Sequence, residues 1–257
     1  MTPLCLPELA RGLPPVVFPE LREVCGSTNT ELAGLAARGA PEYTLLAAAE
    51  QTAGRGRRGR GFFSPADSGA YFSLLLRPPE PGFSAARVTA AAAVAAAEAC
   101  EALFGVSAGI KWVNDVYVGG RKAVGILAEA FDAGGFYVVL GIGANISPPE
   151  GAFPDSLPRA GAMTRSPPPF ARERYIAETV RRFLPAYEDP GAEGLLERYR
   201  ARSVLTGRRV TVEAAGETYN AEVLGIGDDY RLFARRAGGG TESLFYGEVS
   251  LNFENDA

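Results

Sequence analysis

Short, nearly continuous apolar blocks alternate with helical ones over most of the chain. EYTLLAAAE and AYFSLLLRP read as buried strands on either side of the segment GRGRRGR. GIKWVNDVYVGGRKAVGILAEAF reads as a strand, a turn and a hairpin with Gly119-Gly120 at its tip, and GFYVVLGIGANIS as a strand that ends in a glycine-rich turn. FSAARVTAAAAVAAAEACEALFG predicts a long helix closed by Gly105. In STNTELAGLAARGA, Thr28 and Glu31 fit a capping box and Gly39 fits the C-cap. Further helices are expected at about 170 to 188 and about 192 to 202. From Ser203 the pattern changes to short alternating strands, RRVTVEA, ETYNAEVLGI, YRLFARR and ESLFYGEVSL, which suggest a small all-β barrel. The proline-rich first twenty residues read as an irregular arm, and PPEGAFPDSLPRAGAMTRSPPP as a long loop or partial helix. The expected class is α+β, with an arm over 1–20, a larger domain over 21–202 and a β domain over 203–257.

Composition narrows the functional choices. The 257 residues are 47% apolar, enough for a sizeable core, and the net charge is -4. A broad basic face, and with it a nucleic-acid partner, is therefore not expected, and the arginine cluster is a local feature. Histidine is absent, which removes the usual general base, the Ser-His and Cys-His nucleophile systems and the commonest metal ligand. Cys5, Cys25 and Cys100 lack metal-ligand spacing and suit reduced thiols in a cytoplasmic protein. The start MTPLCLPELARGLPP does not fit a signal peptide, and the apolar block Val88 to Cys100 carries Glu98 and is too short for a bilayer, so no membrane partner is expected.

Four segments carry candidate chemistry. GRGRRGR (54–60) lies between two apolar strands, where glycines let backbone N–H groups turn inward and guanidinium groups grip carboxylate or phosphate in pairs. Alone, it suits a small anionic ligand, an RNA or a solvated turn. In IKWVNDV, Lys111 sits between apolar neighbours and needs a counter-charge, water or a ligand, while Asn114-Asp115 also suits a simple turn. Ser27-Thr28-Asn29 suits an N-cap and equally a polar ligand facing a helix start. In GIGAN, Gly141 and Gly143 leave a flat surface on which a ring can lie.

In this order, STN, EQTAGRGRRGRGFFSP, IKWVNDVYVGGRKAVGILAE, GIGANIS and a β tail ending GEVSL resemble the biotin–protein ligases, over about residues 20 to 252. The resemblance implies a mixed-sheet catalytic domain related to class II aminoacyl-tRNA synthetases, followed by an SH3-like barrel. It implies formation of biotinyl-AMP from biotin and ATP, with Mg2+, and transfer of biotin to a lysine of a biotin carboxyl carrier domain. Ser27, Thr28, Asn29, Gln51, Arg55, Gly56, Arg57, Lys111, Gly141 and Gly143 match biotin-contacting positions. Arg57, Arg60, Phe62, Lys111 and Asn145 match the nucleotide side. Arg57 and Lys111 offset the charge of two anions brought together, and Asp115 is a candidate proton acceptor for the attacking lysine. Phe62 stands where tryptophan is usual, Val113 where proline is usual, and Ala144 where a larger aliphatic residue is common. The short form, without an N-terminal DNA-binding domain, is expected to be a monomer or weak homodimer. A lipoate or octanoate ligase or transferase of the related fold is the alternative.

Overall fold

The computed structural model describes residues 2–79, 83–133, 135–189, 194–245 and 248–251. A seven-stranded mixed sheet forms its centre. The strands are β1 (Phe18–Cys25), β2 (Thr44–Gln51), β3 (Gly69–Leu76), β4 (Ala108–Lys111), β5 (Asp115–Val118), β6 (Arg121–Asp132) and β7 (Phe136–Asn145). Their spatial order is β1-β2-β3-β7-β6-β5-β4; β1 runs parallel to β2 and the other pairs are antiparallel. β3 is buried along its whole length, which accounts for its apolar run, interrupted only by Ser73.

One face is covered by α3 (Ala85–Phe104), α4 (Ala171–Glu188) and α5 (Leu195–Ala201). Alanine dominates α3, and its small side chains let α4 approach closely. Gly105, left-handed at φ 64°, ends that helix as expected. On the other face lies α2 (Thr28–Ala37), against β3 and β7. The C-terminal strands β8 (Arg209–Ala214), β9 (Glu217–Ile226), β10 (Leu232–Arg236), β11 (Thr241–Leu244) and β12 (Glu248–Leu251) form an antiparallel five-stranded sheet in the order β11-β10-β9-β8-β12. The expected helix start at 192 and the Tyr246-Gly247 part of the last strand lie outside the described residues.

Several local expectations change. The arm is not irregular throughout: α1 (Leu6–Gly12) forms there, with Pro7 in its first turn where a missing N–H costs nothing, and Leu9 is fully buried. It packs on α4, and the buried Glu173 accepts a hydrogen bond from the Cys5 N–H at 2.8 Å. The start of α2 is not a capping box. Ser27 is the N-cap without a side-chain cap bond, Arg38 is the C-cap with Gly39 following at φ 93°, and Glu31 pairs with Arg22 instead. The GIGAN segment is not a turn but the last part of β7, its glycines paired on both sides.

Candidate active site

Every residue named from the sequence as a catalytic or binding candidate lines one cavity of about 360 Å³, set between the start of α2, the arginine loop, the β4–β5 turn and the β6–β7 floor. One end is built from neutral polar groups. Ser27, Thr28 and Asn29 are all buried at the first turn of α2. The Thr28 N–H and hydroxyl both donate to Gln51 Oε1, at 2.8 and 3.1 Å, and Gln51 Nε2 donates to Ser64 Oγ at 2.9 Å. The fully buried Ser73 hydroxyl lies 2.7 Å from Thr28 Oγ1 and 2.6 Å from Asn29 Oδ1, close enough to donate its single proton to either. Asn29 Nδ2 donates to Glu129 Oε2 at 2.9 Å. Gly141 lies directly beneath the Asn29 amide, where a β-carbon would collide with Oδ1. Much of the bonding capacity of Asn29 and Gln51 is thus spent holding this end rigid.

The arginine loop is folded. Arg55 and Gly61 form an antiparallel bridge, the Gly56 N–H donates to Arg60 O at 2.7 Å, and Arg57–Gly59 makes a single 3-10 turn. Arg58 takes φ 57° and Gly59 φ 72° within it. Arg55 reaches Glu129 at 2.8 Å, so one carboxylate ties the loop to Asn29. Arg57 donates to Asn114 Oδ1 at 3.0 Å. Burial works against its charge and Asp115 supports it, but an arginine stays protonated. Phe62 lies on the sheet floor: a β-carbon on Gly143 would come 2.5 Å from its ring, and one on Gly125 3.0 Å. The flat surface expected at Gly143 therefore carries this ring.

At the other end Lys111 is only 8% exposed. Burial lowers its pKa; Asp115 opposes that, while Lys122, Arg159 and Arg60 add to it. Asp115 neither caps the turn nor stands free as a base. It opens β5 opposite Lys111 and pairs with Lys122 at 2.7 Å. Asn145 donates to Gly161 O at 2.9 Å and fixes the 147–170 loop over this end. The turn itself is held from outside, by Trp112 Nε1 donating to Tyr230 O at 2.9 Å and by the Tyr199 hydroxyl donating to Val113 O at 3.1 Å.

The sequence reading passed over Ser73, Glu129, Lys122, Arg159 and the partner role of Asn114. Only Ser73 carries a local signal, a lone polar residue in an apolar strand. Among the cavity-lining residues seven are Lys or Arg and one, Asp115, is acidic. The whole chain has just two lysines, Lys111 and Lys122, and both flank that carboxylate; every other basic residue is arginine. Among the described residues no cluster of three His, Cys, Asp or Glu is present, so the donor set does not fit a resident divalent cation. The arrangement suits a neutral polar ring at one end and a densely anionic group at the other.

The chain matches the model of the biotin/lipoate A/B protein ligase family over residues 21–145. A biotin–[acetyl-CoA-carboxylase] ligase of Mycobacterium tuberculosis is 35% identical over 237 residues, covering 87% of this chain and 85% of that protein. The bifunctional ligase/repressor BirA of Bacillus spizizenii is 41% identical over 138 residues, 53% of this chain, which spans only 42% of that relative's length. The Bacillus subtilis BirA is likewise spanned over 42% of its length. The fold is that of a biotin protein ligase from Aquifex aeolicus solved in complex with biotin and ATP, at TM-score 0.77 and 22% identity, covering 91% of this chain and 98% of that one. From its sequence kinship across nearly the whole chain, this protein belongs to the biotin–protein ligase family.

Proposed function

We propose that the chain is an ATP-dependent biotin–protein ligase, which joins biotin to AMP and passes the biotinyl group to a lysine of a carrier domain in a biotin-dependent carboxylase. The observation that carries this reading is a single cavity with rigid neutral hydrogen-bonding groups at one end, a glycine floor, and seven cationic side chains against one carboxylate. A ureido ring has N–H donors and a C=O acceptor, which suit the Ser27–Thr28–Gln51 end better than an alkyl chain does. Ser27, Thr28, Asn29, Gln51, Gly141 and Gly143, with Arg55 and Gly56 of the loop, form the biotin side. Arg57, Arg60, Phe62, Lys111 and Asn145 form the nucleotide side.

The chemistry needs no histidine. In the first step a carboxylate oxygen of biotin bonds to the α-phosphorus of ATP, and the bond to pyrophosphate breaks. Both reactants are anionic at neutral pH, so what the protein supplies is positive charge and alignment, from Arg57 and Lys111. No step is assigned to a protein-held metal; magnesium would enter with the triphosphate, held by phosphate oxygens and water, and would help to neutralise its charge. In the second step the carrier's amine nitrogen attacks the acyl carbon, an amide forms and AMP leaves. The proton lost by the amine passes to Asp115 or water, and for Asp115 this requires release from Lys122. The C-terminal sheet, read as the SH3-like unit over 203–257, braces the β4–β5 turn through Tyr230. No described helix is long and apolar enough to cross a membrane.

The test is to incubate the protein with biotin, MgATP and a biotin-carrier domain and to weigh the carrier. A mass gain of one biotinyl group is expected, with no gain when lipoate replaces biotin. An unchanged carrier under conditions where a known ligase modifies it would overturn the reading, and a lipoyl adduct would move it to the neighbouring acyl class.

A further inference from the structure

Four oxygens stand in a row at the neutral end of the cavity: Gln51 Oε1, Thr28 Oγ1, Ser73 Oγ and Asn29 Oδ1, separated by 3.1, 2.7 and 2.6 Å. Only the two hydroxyls carry protons, so the three links share two protons and one link always lacks one. The row keeps this composition only while both amides present oxygen to it. At Gln51 the Thr28 N–H enforces that, donating to Oε1 at 2.8 Å. At Asn29 it is enforced from β6, where Nδ2 meets Glu129 Oε2 at 2.9 Å and Leu127 O at 3.4 Å. Asn29 is only 4% exposed, so bulk water offers its amide no other partner.

A carboxylate beside an arginine has a simple reading as an ion pair, and Arg55 does take Glu129 Oε1 at 2.8 Å. That pair contributes little by itself, since the Arg55 side chain is 47% exposed. The contact to Asn29 goes further. An ionised carboxylate only accepts hydrogen bonds, so it admits one orientation of the Asn29 amide. Turned over, the amide would set Oδ1 against Glu129 Oε2 and the Leu127 carbonyl with no proton between them. It would also aim Nδ2 at Ser73 and bring a third proton to the row. Asn29 would then donate to Ser73, Ser73 to Thr28 and Thr28 to Gln51, and the row would be satisfied with no ligand bound.

Resting on the ligase reading above, we propose that Glu129 is a positioning residue that sets ligand specificity: by holding Asn29 as an acceptor it keeps the row one proton short, and a ring N–H of the ligand supplies that proton. Biotin's ureido ring carries such donors. A ring of the same shape without N–H leaves buried oxygens facing one another and is rejected. Glu129 is not among the residues that line the cavity and acts through Asn29.

The experiment uses the full chain, with binding of biotin and of its cyclic carbonate analogue, in which oxygen replaces both ring N–H groups, measured by calorimetry. Wild-type protein should prefer biotin by about 100-fold or more. Glu129→Gln keeps the shape but lets the Asn29 amide turn over, because a glutamine amide can donate to Oδ1. Its preference for biotin should narrow by at least about ten-fold, and in pyrophosphate exchange the KM for biotin should rise about ten-fold while the KM for ATP holds within about two-fold. Arg55→Gln removes the ion pair but leaves the carboxylate facing Asn29, and should keep the wild-type preference within about three-fold. Adding Asn29→Asp to Glu129→Gln moves the acceptor-only group to position 29, and the preference for biotin should return. A folded Glu129→Gln chain that weakens for both ligands equally, or not at all, would overturn the proposal. So would a preference lost equally in Arg55→Gln, or one that the second substitution fails to restore. Wild-type protein that neither binds biotin nor catalyses biotin-dependent exchange would overturn the ligase reading, and this inference with it.

Discussion

At the scale of single residues, the cavity joins groups that are each ordinary alone. Lys111→Ala is expected to raise the adenylation barrier by about 2 to 4 kcal/mol, the cost of one electrostatic stabiliser in a water-poor site. Biotin-dependent pyrophosphate exchange measures it, and wild-type exchange in a folded variant would refute the role. Gly143→Ala would place a β-carbon 2.5 Å from the Phe62 ring and force the ring off the floor. Ligand binding by calorimetry should weaken at least about ten-fold while the unfolding midpoint moves little, because the crowded atoms end a loop rather than fill the core. The candidate residues themselves were legible because they cluster in short motifs. Glu129 was not: its meaning lies in contacts to Arg55 and Asn29, which come from different elements. Asp115 was read as base or turn cap, since nothing local reveals a partner, Lys122, delivered from the neighbouring strand β6.

At the scale of elements, the arginine loop is pinned at its base rather than free throughout. The Arg55–Gly61 bridge, the Arg57–Asn114 bond and Phe62 on its glycines anchor it, while Arg58 and Arg60 are exposed at the tip. Limited trypsin digestion should therefore cut after Arg58 and Arg60 before Arg57, and biotin with MgATP should slow all three. First cleavage after Arg57, or equal rates with and without saturating ligands, would show that the loop neither rests this way nor closes on the ligands. The helices and strands were largely readable because apolar periodicity reports which faces are buried. Strand order was not, because pairing β3 with β7 brings together segments that the chain keeps far apart. The GIGAN segment was misread as a turn because glycine lowers strand propensity; pairing on both sides, with the Asn29 and Phe62 side chains laid over it, outweighs that loss.

At the scale of the whole molecule, the two sheets meet at the turn that follows Lys111. The segment before β8 also covers β4: Ile110 N–H donates to Arg202 O at 2.6 Å and Val204 N–H to Ile110 O at 3.0 Å, closing that sheet edge. Tyr199→Phe removes the hydroxyl that satisfies Val113 O in a buried setting. A loss of about 1 to 3 kcal/mol in urea unfolding is expected, together with slower adenylation at unchanged biotin affinity. Unaltered exchange kinetics in a destabilised variant would confine Tyr199 to the fold.

The scarcity of lysine has a consequence for the enzyme's own survival. An acyl-adenylate is an acylating agent that any nearby amine can consume, the maker's own surface included. Here the side-chain amines are confined to the cavity, one buried and one in an ion pair, while arginine supplies the remaining positive charge. A guanidinium stays protonated at physiological pH and is a poor nucleophile. On the proposed ligase reading the protein can therefore generate its reagent repeatedly without acylating exterior side-chain amines, and prolonged incubation with biotin and MgATP in the absence of carrier should leave all side chains outside the cavity unmodified by mass spectrometry.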